Sequence, residues 1–188
     1  MKQYDFSFFP ELETERLLLR KITKDDVQEV FEIRSNPITM QFIDRPIAKT
    51  IDDALNLIKV FDEVFEKQDG VAWAITFKEE KKLIGTIGFW KMDKPNFRAE
   101  IGYILNQTFH RKGIMNEALK VVIDFGFQQL NLHSIEAVTK PTNTASNEIL
   151  LKNGFLQEGY FRENYFFEGK FYDKKVFSLI NKNETKIH

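Results

Sequence analysis

The order of apolar and polar positions divides the chain into short elements of two kinds. Residues 15–22, "ERLLLRKI", read as a strand. "TKDDVQEVFEIRS" then reads as a helix, with Thr23 as N-cap and acidic residues in its first turn. Asn36-Pro37 breaks that pattern. Residues 50–68 repeat the device: Thr50 caps, and Ala54, Leu55, Ile58, Val60, Phe61 and Phe65 recur near helical spacing. "VAWAITF" (71–77), "KLIGTIGFW" (82–90) and "RAEIGYIL" (98–105) read as strands. The polar turns "KEEKK" and "KMDKPNF" separate them, which suits an antiparallel meander. A long helix follows over residues 114–130, then the strand "SIEAVTK" and a short helix, "TASNEILLKNGF", ended by Gly154. "GYFRENYFFEGKFYDKKVFSLI" reads as a hairpin turning at Glu168-Gly169. The predicted order is β-α-α-β-β-β-α-β-α-β-β: a meander and then a strand–helix–strand crossover, hence a mixed sheet with helices on both faces.

Composition narrows the chemistry. The 188 residues suit one domain, and 43% hydrophobic residues with a net charge of -1 suit an ordinary globular chain. Neither nucleic acid nor membrane is expected as a main partner. The chain has no cysteine, which excludes disulfides, thiolate metal ligands and a cysteine nucleophile, and fits a cytoplasmic location. His110, His133 and His188 lack metal-binding spacing, so no metal site is expected. The first residues, "MKQYDFSFFPELETERLLLRK", hold no secretory apolar core, so no leader is expected, and no run of 18 apolar residues occurs. No linker or repeat interrupts residues 10–181, which are expected to form the domain, and residues 182–188 are expected to fray.

The candidate chemistry lies where the strand "AEIGYIL" becomes a helix, across "NQTFHRKGIMNEAL". A helix N-terminus offers unpaired N–H groups and a partial positive charge. A glycine there lets a phosphate come close. A plain connection with solvated basic residues would read the same way. The P-loop and dinucleotide glycine patterns are both absent.

"AEIGYILNQTFHRKGIMNEAL" resembles the acetyl-CoA-binding motif of the GNAT N-acetyltransferases, written [RQ]-x-x-G-x-[GA]. Within that superfamily the chain resembles the RimJ/RimL type, which acetylates N-terminal amines of ribosomal proteins. "LETERLLLRKITKDD", "GTIGFW", "NTASNEILLKNGFLQEG" and "NYFFEGKFYDKKVFSLI" match further segments of that type, nearly end to end. His110 stands where Arg or Gln is usual, and Met115 where Gly or Ala is usual. The resemblance implies a single-domain α/β GNAT fold, with a mixed, mostly antiparallel sheet of about seven strands flanked by about four helices. It implies acetyl-CoA as co-substrate, with its pyrophosphate on the amides of Arg111, Lys112, Gly113, Ile114, Met115 and Asn116, beside His110. Its pantetheine arm would meet the backbone of Ile104, Leu105 and Asn106, with Asn143 nearby. Gly102 either lets that arm approach or marks a bulge.

Acyl transfer to an amine needs a neutral nitrogen. For an α-amine this costs about 1.4 kcal/mol at pH 7, against about 4.6 kcal/mol for a lysine. The resemblance makes Glu100 the candidate base, and alternation puts it on one strand face with Gly102 and Ile104. A solvated glutamate, or one paired with Arg98, is the plainer use. Ser146 is the implied proton donor to the departing thiolate, and Asn143 or Thr142 equally reads as a helix cap. A carboxylate is usual in the hairpin's first strand; here Asn164 holds that slot with Glu163 beside it. Glu117 reads as structural, favouring the helix dipole. Tyr160, Tyr165, Phe167, Phe171 and Tyr172 read as core, or as a wall of the acceptor groove.

The expected activity is direct transfer from acetyl-CoA to a primary amine, preferably a protein N-terminus. The alternatives are a small amine, such as a polyamine, amino acid or aminoglycoside, or a silent acyl-CoA-binding module. A polyamine would want Glu158, Glu163 and Glu168 to converge. The protein is expected to be a monomer or a homodimer.

Overall fold

The structure, a computed structural model, describes residues 7–182. Beyond residue 182, the expected frayed tail lies outside the described residues, as does His188. Eight strands form one sheet: β1 (Leu12–Glu13), β2 (Leu17–Lys21), β3 (Val71–Phe77), β4 (Glu80–Asp93), β5 (Arg98–Leu105), β6 (Ser134–Thr139), β7 (Leu156–Phe167) and β8 (Lys170–Ile180). Five helices flank it: α1 (Val27–Ser35), α2 (Pro37–Met40), α3 (Ile51–Glu66), α4 (Ile114–Gln128) and α5 (Thr144–Lys152). The spatial order is β1-β2-β3-β4-β5-β6-β8-β7. Every neighbouring pair is antiparallel except β5–β6, which the α4 crossover makes parallel.

Two cores sit on the two faces. Trp73, Phe89, Ile101, Ala118, Val122 and Leu150 pack with α4 and α5. Ala72, Ala74, Ile104, Val30, Ile58 and Phe61 pack with α1 and α3. Strand β3 feeds both cores, which is why "VAWAITF" is apolar without alternation. Strand β5 does alternate. Ala99, Ile101 and Leu105 join the α4 core, and Ile104 joins the α1/α3 core on the face of Glu100 and Gly102.

The departures from expectation are local. The two-residue β1 is too short to show a period, and pairing with β2 creates it. Asn36 does end α1, but its side-chain oxygen then accepts N–H bonds from Ile38 and Thr39 at 2.9 and 3.1 Å and starts α2. Thr23 heads a 3-10 turn, and α1 begins only at Val27. Asp26 is no solvated dipole partner: it is buried and pairs with Arg20 at 2.6 Å. The Glu168-Gly169 turn has positive φ at both residues, 46° and 81°, as a two-residue hairpin requires. No described helix is long and apolar enough to cross a membrane.

Candidate active site

Pairing between β5 and β6 stops early. Arg98, Ala99 and Glu100 pair with Ser134, Ile135 and Glu136, and beyond them the strands part. Each keeps its other neighbour, since β5 pairs with β4 to Leu105 and β6 with β8 to Thr139. The result is an open seam inside the sheet. A cleft of about 1050 Å³ runs along the α1/α3 face and through this seam. Glu100, Gly102 and Ile104 border it from one face, and Tyr103, Asn143 and Ser146 from the other.

At the head of α4 the backbone is held ready for an anion. None of the amides from Arg111 to Asn116 donates to a protein acceptor among the described residues. The next amide, Glu117 N–H, donates to the Gly113 carbonyl at 3.1 Å. Arg111 and Gly113 both have positive φ, 60° and 75°, which folds the turn back on itself. An L-residue in that region costs about 1–2 kcal/mol, so glycine is favoured at position 113. A row of free N–H groups at a helix start, with the exposed Arg111 and Lys112 beside it, fits a diphosphate.

Glu117 fixes this turn from behind. Its carboxylate accepts from Arg16 N–H at 3.0 Å, from Arg16 Nε at 2.7 Å, and from the Thr14 hydroxyl. Arg16 Nη1 also donates to the Lys112 carbonyl at 3.2 Å. Burial opposes ionisation of Glu117, but the bonds from Thr14 and Arg16 outweigh it and hold its pKa below the usual glutamate range. The sequence identifies Glu117 as structural; it does not reveal Arg16, a partner 101 residues away.

Glu100 opens into the cleft, and Lys91 Nζ donates to its Oε2 at 2.7 Å. Arg98, its expected partner, pairs with Glu136 at 2.6 Å instead. Lys91 is 79% exposed, so it can swing away at little cost. Gly102 marks no bulge, because its pairing with Gly88 is regular. It makes room for the Trp90 indole, whose Nε1 would lie 3.0 Å from an added Cβ. Trp90 lines the cleft as well, beside Phe61 at a ring distance of 5.5 Å.

Across the seam, Asn143 caps α5: its side-chain oxygen accepts from Ser146 N–H at 3.2 Å. The cap therefore fixes Ser146 at the cleft wall. The residue that sequence reasoning missed is Tyr103. Its hydroxyl is fully buried and lacks a well-aligned hydrogen-bond partner. Burial pushes its pKa up to about 12, and the Ser146 hydroxyl, close but poorly aligned, pulls the other way. Period-two alternation around Glu100 places Tyr103 on the opposite strand face, and only the parted seam brings it to the cleft.

Other expected contacts fall elsewhere. Leu105 offers its carbonyl to His110 Nε2 at 2.9 Å, so the histidine anchors the turn. The Asn106 N–H is taken, donating to the Ile84 carbonyl at 2.9 Å, and its carbonyl accepts from Phe109 N–H at 3.0 Å with one lone pair to spare. Ile114 and Met115 point their side chains at the α4 core, and Asn116 accepts from Asn153 at 3.0 Å. Ile114 and Met115 can serve a cofactor only through their amides, whereas Asn116 also keeps a side-chain NH2 donor. Glu158, Glu163 and Glu168 are exposed, and none lines the cleft. Of the hairpin aromatics in question only Tyr165 lines it; Tyr160 and Phe171 are exposed rather than core. Among the described residues no three His, Asp or Glu could hold a metal.

Comparison with known proteins shows the family of the chain and agrees with its fold. The profile of the family described as "Acetyltransferase (GNAT) domain" matches residues 16–156. The chain is 37% identical over 176 residues to the uncharacterized N-acetyltransferase YoaA of Bacillus subtilis (strain 168), covering 94% of this chain and 99% of that protein. It is 34% identical over 89 residues to the ribosomal-protein-serine acetyltransferase of Escherichia coli (strain K12), covering 47% and 50%. The crystal structure of a GNAT-family acetyltransferase from Bacillus anthracis superposes with a TM-score of 0.82 at 27% identity, over 91% of this chain and 98% of that one.

Proposed function

The chain belongs to the GNAT acetyltransferase family and is an acetyl-CoA-dependent N-acetyltransferase; from that premise we propose that its acceptor is a protein N-terminal α-amine. The observation that carries this reading is the cleft. Its roughly 1050 Å³ has to take the pantetheine arm in the seam as well as the acceptor, and the part along the α1/α3 face gives the first residues of an extended peptide a place to lie. No acidic groove for a polyamine is formed by Glu158, Glu163 and Glu168. The partial match to an enzyme named for ribosomal-protein serine lends further support.

Acetyl-CoA supplies the acyl group as a thioester; the other roles fall to the chain. The amides of Arg111 to Asn116 hold the diphosphate, and the open seam receives the arm beside Ile104 and Asn143. Glu100 takes the proton of the attacking amine, directly or through water. Ser146 gives a proton to the departing sulfur, and Tyr103 donates to whatever acceptor enters the seam. The α-amine is about a tenth neutral at pH 7, so this base has modest work to do. The chain has no cysteine to carry an acetyl group, which favours direct transfer in a ternary complex.

The test is release of free CoA thiol in the presence of acetyl-CoA and a panel of acceptors. N-terminal peptides should be turned over well above polyamines, aminoglycosides and lysine side chains blocked at the α-amine. Turnover confined to small polycations would refute the reading.

A further inference from the structure

The charges around the cleft do not balance. Four carboxylates line it, and each is already engaged. Asp44 pairs with Lys140 at 2.6 Å and Glu100 with Lys91 at 2.7 Å. Asp53 accepts the Lys49 and Thr50 N–H groups at 2.8 and 2.9 Å at the start of α3, and Asp69 faces Lys94 at 3.6 Å. On the basic side Arg34, Arg45, Lys49 and Lys174 also line the cleft, and none has a carboxylate within ion-pair distance among the described residues, although Lys174 lies over the Tyr165 ring at 4.4 Å.

Arg34 is the telling member. It rises from α1, with Leu57, Phe61, Thr86 and Ile104 around it. Among the described residues its one side-chain hydrogen bond is from Nη1 to the Met40 sulfur at 3.9 Å, a weak acceptor. Burial, aided by the nearby charge of Arg45, lowers its pKa to about 10, so it remains a cation at neutral pH. A sheltered cation without a counter-charge is costly to the fold, and an anion supplied from outside would relieve it.

We propose that the acceptor carries an anionic group, a carboxylate or a phosphate, close to its amine, and that Arg34 with Arg45 holds that group. This rests on the reading of the cleft as the acceptor site. Ile104, beside Arg34, lies four residues along β5 from Glu100 and on the same face, about 13 Å away. An extended peptide covers that distance in about four residues. The acceptor terminus is therefore one with an acidic or phosphorylated side chain within its first few positions. A polyamine would bring positive charge to four cations that have no carboxylate partner among the described residues.

The experiment uses the full chain, acetyl-CoA and C-terminally amidated peptides. Each carries Asp, Asn, phosphoserine or Lys at position 2, 3 or 4. The best acidic peptide should exceed its Asn counterpart in kcat/KM by about ten-fold or more, the range of charge-assisted bonds. The choice between Asp and phosphoserine identifies which anion is taken. Arg34→Gln should bring the acidic-to-neutral ratio close to one without raising the KM for acetyl-CoA. Arg45→Ala, at an exposed position that folding tolerates, should lower the ratio in part. Equal turnover of Asp and Asn peptides, or a preference for Lys, overturns the anion site and leaves the N-terminal reading standing. Neglect of all peptides with turnover of acidic amino acids or aminophosphonates does the reverse. Turnover of no amine overturns both.

Discussion

Glu100 illustrates how much one position owes to its surroundings. It sits on a strand, borders the cleft, and shares its charge with a lysine that solvent can take back. Glu100→Gln should lower kcat by about a hundred-fold or more while acetyl-CoA binding, read by calorimetry, persists. Tyr103 makes the opposite case, because its buried hydroxyl has no good partner in the ligand-free protein. An unpaired buried hydroxyl costs about 1–3 kcal/mol. Tyr103→Phe should therefore raise the Tm of the ligand-free protein by a few degrees and lower kcat. Glu117 predicts a pH effect. The folded state holds its pKa below the unfolded value, so its contribution is complete above about pH 5 and is lost as the pH falls through the folded value. The Tm gap between the parent and Glu117→Gln should thus be widest near neutrality and close in acid. Glu100 and Ser146 are proposed from the family resemblance, which rests on short contiguous motifs. Tyr103, Arg34 and Arg16 could not be named from the chain, because their roles arise from burial and from partners far away in sequence.

Among the elements, the α4 start is where the proposed coenzyme site is concentrated in the fewest residues. Its free amides depend on Gly113 in the left-handed region and on the Arg16–Glu117 clamp behind. Gly113→Ala should cost about 1–2 kcal/mol, a Tm loss of about 2–8 °C, and should raise the KM for acetyl-CoA. Unchanged values for both would show that the turn tolerates a side chain and that the cradle is not built on this glycine. Element types were legible from periodicity and caps: Thr50 before α3, the apolar run of β3, and the hairpin turn all form as the pattern predicts. The exceptions have a common cause. Strand β1, helix α2 and the 3-10 turn at Lys24–Asp26 each span too few residues to display a period, and tertiary pairing decides them. The parting of β5 from β6 leaves no mark in the period of either strand beyond Gly102, and it is the family resemblance that implies it.

For the whole molecule the seam sets the energetics. Acetyl-CoA at a hundred times its Kd should stabilise the fold by about 2.7 kcal/mol. For a chain of this size that is a Tm rise of about 5–11 °C. The rise should grow with the logarithm of ligand concentration and shrink in Gly113→Ala. Hydrogen exchange should slow most at the head of α4 and along the parted stretch of β5. That same parted stretch leaves two strand borders inside the protein with backbone groups facing each other across a gap. Borders of this kind are templates to which a strand from another chain can add. A coenzyme bound between them would also keep neighbouring molecules out, and protein prepared without it should be the first to clump.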